Sequence, residues 1–551
     1  MGDFLCLMRL SLSKLTLALP HRLLAMAINR FPPHFTTADH RDRCLEQLRS
    51  KCAPLEKYIY LNGLKGRDAN LFYDLLLGNM KEMVPILYTP TVGEACINYS
   101  HIWRRPEGLY VSIEDKGRIR DVLSTWSNIP DSRIAVVTDG SRILGLGDLG
   151  ANGLPISIGK LDLYIAGAGI KPSSTVPICL DLGTNTQRYL DDPLYIGIRN
   201  RRPGPEQMNE FMDEFMEAMK EVFPNLLVQF EDFSTDNAFK YLDRYRDKYR
   251  VFNDDIQGTG SVILSGFINA ANLSSAASGK PLGDHRILFF GAGSAGIGVA
   301  KQLLSFFTMQ GLSPEEARSR IWTVDSKGLI TADRKGLQEH KKFFARTDYE
   351  GHALTHLVDI INYVKPTALL GLSTSKNAFT EEVVKAMANI NERPIIFPLS
   401  NPVHLSEVDY HNAIEWTDGK VIFASGSPYF PVTHKDVTYE PGQGNNMYIF
   451  PGLGLGAILS KARHVSDAMV EQASIALASS LTEEEKAAQL IYPRLTRIRD
   501  ISAQVAFAVI RQAQREDLDM NGYLRTLPDD TLLALVHDKM WQPPAVPIPR
   551  L

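Results

Sequence analysis

The sequence predicts an α/β protein: a mixed helical and α/β first half, a doubly wound second half and a C-terminal helical segment. Three observations lead there. Short apolar runs that stop at turn residues alternate with helical patterns, as parallel strands do with their crossover helices. The stretch "RILFFGAGSAGIG", Arg286 to Gly298, reads as a strand, a glycine turn and the start of a helix. At 551 residues the chain exceeds one ordinary core, so two large domains are expected.

Composition narrows the partners. With 59 basic against 63 acidic residues and a net charge of −4, there is no broad basic field for a nucleic acid. The five cysteines (Cys6, Cys44, Cys52, Cys96 and Cys179) fit no CxxC or Cys/His spacing, which argues for a reducing compartment and against zinc. From Phe4 to Ala38 there is no acidic residue, while Arg9, Lys14, Arg22 and Arg30 punctuate a Leu-rich run. That is the composition of a mitochondrial transit peptide, or of an ordinary amphipathic helix or an irregular start. A mitochondrial and a cytoplasmic location both stay open. Lys14, His21 and Arg22 cut the apolar run short of the roughly 18 residues a membrane span needs.

Taken in order, Asp39 to Asn98 reads as helical, with Pro85 and Pro90 marking a break. Strand-like runs follow in "GLYVSI", "IAVVTDG" and "STVPICLDLG". The Met/Phe stripe "MNEFMDEFMEAMKEVF" has helical spacing and is read as core packing rather than a cofactor box. "LLVQFEDF" is a buried strand ending in Glu231 and Asp232, and ligands of α/β domains bind at strand ends.

A second domain begins near Ile256. Gly291, Gly293 and Gly296 satisfy GxGxxG between a strand and a helix, so Gly291, Gly293, Ser294, Ala295 and Gly296 form a Rossmann-type dinucleotide turn facing a helix N-terminus. The next strand, "IWTVD", ends at Asp325 after a helix opened by the capping pattern "SPEE". "TALLGLS" and "PIIFPLSNP" continue the parallel sheet. "GLGDLG", with Gly145, Gly147 and Gly150, matches the same expression, but Asp148 would face the pyrophosphate and no strand abuts Gly145; it is read as a substrate-domain turn.

The chemistry-bearing candidates are few. Glu231, Asp232 and one of Asp254 and Asp255 in "FNDDIQG" offer oxygen ligands for a hard cation such as Mg²⁺; alone, either acidic pair would read as capping or a surface ion pair. Lys160 sits in an apolar run, where desolvation would lower its pKa and suit it as a base; a snorkelling lysine is the alternative. Arg142, before a glycine-rich turn, suits a carboxylate. Tyr88, at a Pro-bounded turn, is a packed ring or a proton donor.

Together these fragments resemble the malic enzymes. The matching blocks are "YTPTVGEAC", "VVTDGSRILGLGDLG", "ISIGKLDLY", "QFEDF", "FNDDIQGTG", "FFGAGSAG", "PLSNPV", "FASGSP" and "PGQGNNMYIFPG", in family order from about Tyr58 to Gln514. The resemblance implies metal-dependent oxidative decarboxylation of L-malate to pyruvate and CO₂ with reduction of NAD or NADP. It implies Tyr88 as proton donor, Lys160 as base and Asp254 as its hydrogen-bonding neighbour. Arg142 would bind a malate carboxylate, Glu231, Asp232 and Asp255 would hold Mg²⁺ or Mn²⁺, and Asn401, Asn445 and Asn446 would line the malate and nicotinamide site. Composition sets off segment 1–38 (transit peptide or irregular); with the resemblance, segments 39–255 (substrate and metal), 256–514 (NAD(P)-binding) and 515–551 (C-terminal tail) follow, and a homodimer or homotetramer is implied.

Asp325 would bond ribose hydroxyls and favour NAD. Ser326 and Lys327 follow at once, and the Lys341-Lys342 pair downstream shifts the balance slightly to NADP. Two other readings stand beside the main one: a malolactic-type conversion of malate to lactate, and a catalytically silent NAD(P)-binding scaffold.

Overall fold

Two parallel sheets organise the protein. The structure, a computed structural model, describes residues 37–544 apart from Glu350, Thr374, Asn401 and Pro402. The leader-like composition of the N-terminus thus falls almost wholly outside the described residues, as does Asn401. The chain separates into two units, one ending at Gly78 and joined by the segment from Pro543, the other spanning Asn79–Gln542.

The smaller unit holds helices α1 (Thr37–Arg49), α2 (Pro54–Arg67) and α3 (Ala69–Gly78). Pro54 opens α2 at its first turn, where a missing N–H costs nothing. An Arg41–Asp74 ion pair at 2.7 Å ties α1 to α3, and the Tyr60 hydroxyl donates to the Cys44 carbonyl at 3.1 Å.

The larger unit opens with α4 (Met80–Leu87) and α5 (Thr91–Ile97). Pro85 lies inside α4 instead of breaking it. Its missing N–H removes a single hydrogen bond, and the helix stops at Leu87 anyway. Strands β1 (Leu109–Ser112), β2 (Ile134–Thr138), β3 (Thr175–Asp181), β4 (Leu227–Phe230) and β5 (Val251–Asn253) form a parallel sheet in the order β1-β3-β2-β4-β5. β2 and β4 are buried at every position, which is why their sequences are mostly apolar rather than alternating, with Gln229 the polar residue inside β4. The wholly buried helix α6 (Leu154–Ala168) packs on β2 and β3. Helix α7 (Pro205–Val222) carries the Met/Phe stripe, and Met208, Phe211, Met212, Phe215 and Met219 are buried in the core of this sheet. Each such side chain contributes on the order of 1.5–3 kcal/mol.

After β5 a single π turn, Asp254–Gly258, leads into α8 (Thr259–Ser278) and the second sheet. Its strands are β6 (Ile287–Phe290), β7 (Ile321–Asp325), β8 (Gly328–Leu329), β9 (Ala368–Gly371), β10 (Ile395–Pro398), β11 (Ile422–Ser425) and, beyond a small antiparallel pair, Gly442–Gln443. Only β8 runs antiparallel to its neighbour in this sheet. The order places β7 on one side of β6 and β9 on the other, so the chain reverses direction across β6 and opens a crevice there. This is the doubly wound sheet read from the sequence. Helices Phe450–Ser460, Asp467–Ser479, Ile498–Arg515 and Asp529–Lys539 close the chain, and no described helix is long and apolar enough to cross a membrane.

Candidate active site

The carboxylates that open the site are placed by strand pairing. β4 and β5 run parallel with Phe230 opposite Asn253, so Glu231-Asp232 and Asp254-Asp255 leave the sheet side by side. Asp232 takes a left-handed backbone, φ +54°, a conformation that aspartate tolerates better than most residues. Its N–H donates to Asp255 Oδ2 at 2.7 Å, and its Oδ2 accepts from the Leu144 N–H at 3.0 Å. Gly258 is needed in the π turn, because a Cβ there would lie 1.9 Å from Asp254 Oδ1.

One oxygen from each of Glu231, Asp232 and Asp255 falls within 4.8 Å of the others. These are hard donors suited to Mg²⁺ or Mn²⁺, and among the described residues only Lys160 forms an ion pair with the three, on Glu231. Burial, opposed by Lys160 and reinforced by the neighbouring acids, pushes the Glu231 carboxyl well above the usual range. Asp232 and Asp255 are raised as well, burial again leading. A cluster with so much unneutralised carboxylate fits a bound divalent cation.

Lys160 comes from α6 and is almost wholly buried. Its Nζ lies 2.5 Å from Asp254 Oδ2 and 3.1 Å from Glu231 Oε1, and 4.4 Å from the centre of the Phe450 ring. Here the sequence expectation needs correcting. Burial by itself would lower this lysine, but Asp254 and Glu231 outweigh it and hold the ammonium well above the usual range. The Tyr88 hydroxyl, at the C-terminus of α4, donates to the same Glu231 Oε1 at 3.2 Å, and its ring is 5.1 Å from Lys160 Nζ. Burial raises this phenol strongly, against the pull of Lys160.

The Asn446 amide donates to Asp254 Oδ2 at 3.0 Å and to Thr259 Oγ1 at 3.0 Å. Asn445 turns its Oδ1 onto the Met447 N–H at 2.9 Å, as a cap. Arg142 is exposed beside the cluster: its Nη1 donates to Thr235 Oγ1 at 2.5 Å and its N–H to the Asp232 carbonyl at 3.3 Å. The "GLGDLG" turn holds Asp148 on Arg202, at 2.8 Å, and on the Asn185 N–H, at 2.7 Å. It leads through a short 3₁₀ turn into α6, with no strand at Gly145.

Across the β6 crevice the three glycines divide the work of a phosphate turn. A Cβ on Gly291 would lie 2.4 Å from the Leu372 carbonyl oxygen, and one on Gly296 2.2 Å from that of Gly291, whereas Gly293 faces open space. The side chains of Ser294 and Ala295 lie outside the described residues. Asp325, at the end of β7, accepts two bonds from Arg334 at 2.7 Å and one from Lys341 at 2.8 Å. Ser326 and Lys327 form the turn into β8, with the Lys327 N–H donating to Asp325 Oδ1 at 2.9 Å. Lys342 pairs with Glu339 instead.

Three residues joined to these clusters went unnamed in the sequence reading. Gln229 Nε2 donates to Glu231 Oε2 at 2.8 Å, and the Tyr164 hydroxyl donates to Gln229 Oε1 at 2.5 Å. Gln229 shares a strand face with Glu231, and Tyr164 lies one helical turn beyond Lys160, so both spacings carried the signal. Arg334 offered none, being part of an ordinary polar turn.

Two sequence profiles match the chain: that described as malic enzyme, N-terminal domain, over residues 65–246, and that described as malic enzyme, NAD binding domain, over residues 256–514. An NADP-dependent malic enzyme of Dictyostelium discoideum is 49% identical over 506 residues, covering 92% of this chain and 91% of its own. NADP-dependent malic enzyme 2 of Arabidopsis thaliana is 46% identical over 516 residues, 93% of this chain and 86% of its own. Among solved structures, a malic enzyme from Pyrococcus horikoshii superposes with a TM-score of 0.54 at 26% identity, covering 84% of this chain and 89% of that one. That from Entamoeba histolytica has a TM-score of 0.56 at 24% identity, covering 92% and 89%, and shares the fold.

Proposed function

We propose how this cluster works as that of a malic enzyme, the family to which the chain belongs. The reaction is the oxidative decarboxylation of L-malate to pyruvate and CO₂ with reduction of NAD(P)⁺. Conversion of malate to lactate and a silent scaffold find no support in the comparisons.

One observation carries the assignment of roles: Lys160 and Tyr88 approach the same oxygen of Glu231, at 3.1 and 3.2 Å, within the buried carboxylate cluster. Base and acid are thereby held on one small ligand. Lys160 is an ammonium beside bare Glu231 and Asp254; with Glu231 engaged by a divalent cation that hold would weaken, and the free amine, steadied by Asp254, would accept the proton of the malate C2 hydroxyl while Asn446 keeps the Asp254 carboxylate turned toward it. Tyr88 gives a proton to C3 once CO₂ has left. Arg142 pairs with a malate carboxylate, with Asn401 and Asn445 completing the pocket. Glu231, Asp232 and Asp255 would hold Mg²⁺ or Mn²⁺. A cation held there would supply Lewis acidity toward the C2 oxygen, and a dinucleotide in the β6 crevice would supply the hydride acceptor.

Gly291, Gly293, Ser294, Ala295 and Gly296 would hold the dinucleotide, and the open face of Gly293 suits a pyrophosphate. NADP is favoured over NAD. Arg334 and Lys341 already neutralise Asp325, which would otherwise repel a 2′-phosphate, and with Ser326 and Lys327 they present it with donors. Residues 39–255 act as the substrate and metal domain, residues 256–514 as the dinucleotide domain and residues 515–551 as a C-terminal segment, in a homodimer or homotetramer.

The test is direct. Purified protein given L-malate and Mn²⁺ reduces NADP⁺ faster than NAD⁺, with pyruvate formed in equal amount. Reduction without pyruvate, or lactate without net reduction, would overturn the proposal.

A further inference from the structure

The acidic cluster sits at the carboxyl ends of β4 and β5; a second concavity lies at their amino ends. It has a volume of about 180 Å³, and its floor includes Met216 and Met219 of α7 with Phe223 and Leu226 of the following turn. The last turn of the Met/Phe stripe thus closes the core and meets this cavity only with the outer edges of its side chains. Val228, early in β4, borders it too, three residues and ~10 Å of strand from Glu231.

The rim of this apolar floor is cationic. Lys220, Lys248, Arg250 and Arg463 all line the opening. Among the described residues none of the four enters an ion pair. Arg250 donates to the Lys461 carbonyl at 3.4 Å and Arg463 to that of Asp517 at 2.6 Å, both neutral acceptors. The acids nearby are engaged elsewhere: Glu217 accepts from the Tyr249 hydroxyl, and Asp213 is held by Arg244. Arg250 is half-buried, and that loss of water alone lowers its guanidinium, with no acid to offset it. A guanidinium that has given up water without gaining a carboxylate is a site for an anion.

Floor and rim together define the ligand. An apolar cavity of about 150 Å³ takes one benzene ring, so the space matches a single ring-sized body, and the rim matches one charged oxygen pair. From this geometry we propose a second binding site, distinct from the malate site, for a small amphipathic carboxylate whose apolar body rests on Met216, Met219 and Phe223 while its carboxylate meets Arg250 and Lys248.

Benzoate is the probe. With the full chain labelled at methionine methyls, benzoate is expected to shift the Met216 and Met219 resonances saturably. The midpoint should rise at least tenfold in Arg250→Met and severalfold in the exposed-site variant Lys248→Gln, with malate oxidation unchanged in both. Benzyl alcohol, lacking the charge, and inorganic phosphate, lacking the apolar body, should each shift these resonances only at tenfold higher concentration. No saturable shift, unchanged midpoints in both variants, or equal response to phosphate or to benzyl alcohol would overturn the proposal.

Discussion

Replacing Lys160 by alanine separates the two halves of the reaction. Lys160 is 2% exposed and, among the described residues, the only cation in ion-pair contact with the acidic cluster. Its removal leaves Asp254 and Glu231 buried without an opposite charge, hydrogen-bonded only by neutral Asn446, Tyr88 and Gln229, a loss of about 3–5 kcal/mol in related cases. The metal-free variant should therefore unfold at a lower temperature, and Mn²⁺, free to neutralise the same acids, should recover more stability in it than in the wild type. Catalysis divides differently. A general base contributes ~10²–10⁴-fold, about 3–5 kcal/mol of barrier, and only malate oxidation needs one at the C2 hydroxyl. Reduced-nicotinamide formation from malate should fall by that factor, while metal-dependent loss of added oxaloacetate falls far less. Lys160→Met, which keeps an apolar stem over the Phe450 ring, guards against a folding artefact. Equal loss of both activities in both variants would refute Lys160 as the first-step base.

Three further outcomes can be checked separately. Asp255→Ala should raise the Mn²⁺ concentration for half-maximal rate more than about tenfold, and an unchanged requirement would remove it from the ligand set. Lys341→Ala should raise KM for NADP⁺ by roughly ten- to a hundredfold, the worth of one charged hydrogen bond, and leave KM for NAD⁺ nearly unchanged; a parallel rise in both would place Lys341 away from the 2′-phosphate. His285, its ring nitrogens bonded to Ser275 and Thr367, is lowered from 6.5 to about 4 by burial and then by Lys280. The unfolded chain binds its proton first, so its contribution is present above pH 6.5 and lost as pH falls toward 4. Stability measured across that window should drop less steeply in His285→Gln than in the wild type; identical slopes would refute the assignment.

What the sequence disclosed follows from element length and side-chain chemistry. β2, β3 and β9 are legible because each is a run of apolar residues buried on both faces. β5, with three residues, and β8, with two, are too short to carry a period, and their existence depends on the neighbours they pair with. The acidic pairs stand out because carboxylates between aromatic residues demand a reason. Their convergence does not stand out, since it depends on β4 lying beside β5. Lys160 shows the same limit: burial can be read from an apolar run, but the 2.5 Å approach of Asp254, which reverses the effect on its proton, cannot. Arg334 illustrates a further one, because a turn residue acquires meaning only when its chain folds back onto Asp325.

The pairing of Phe230 with Asn253 also sets where the gene can gain or lose codons. Both acidic pairs begin one residue past that rung, so deleting a single residue within β4 would draw Glu231 back by about 3.3 Å and turn it to the opposite face of the sheet. The same deletion in the exposed stretch Asp247–Lys248, ahead of β5, leaves both strands' ends where they are. Length variants that keep divalent-cation dependence should therefore cluster before the amino ends of these two strands and be missing between their first residues and their acids.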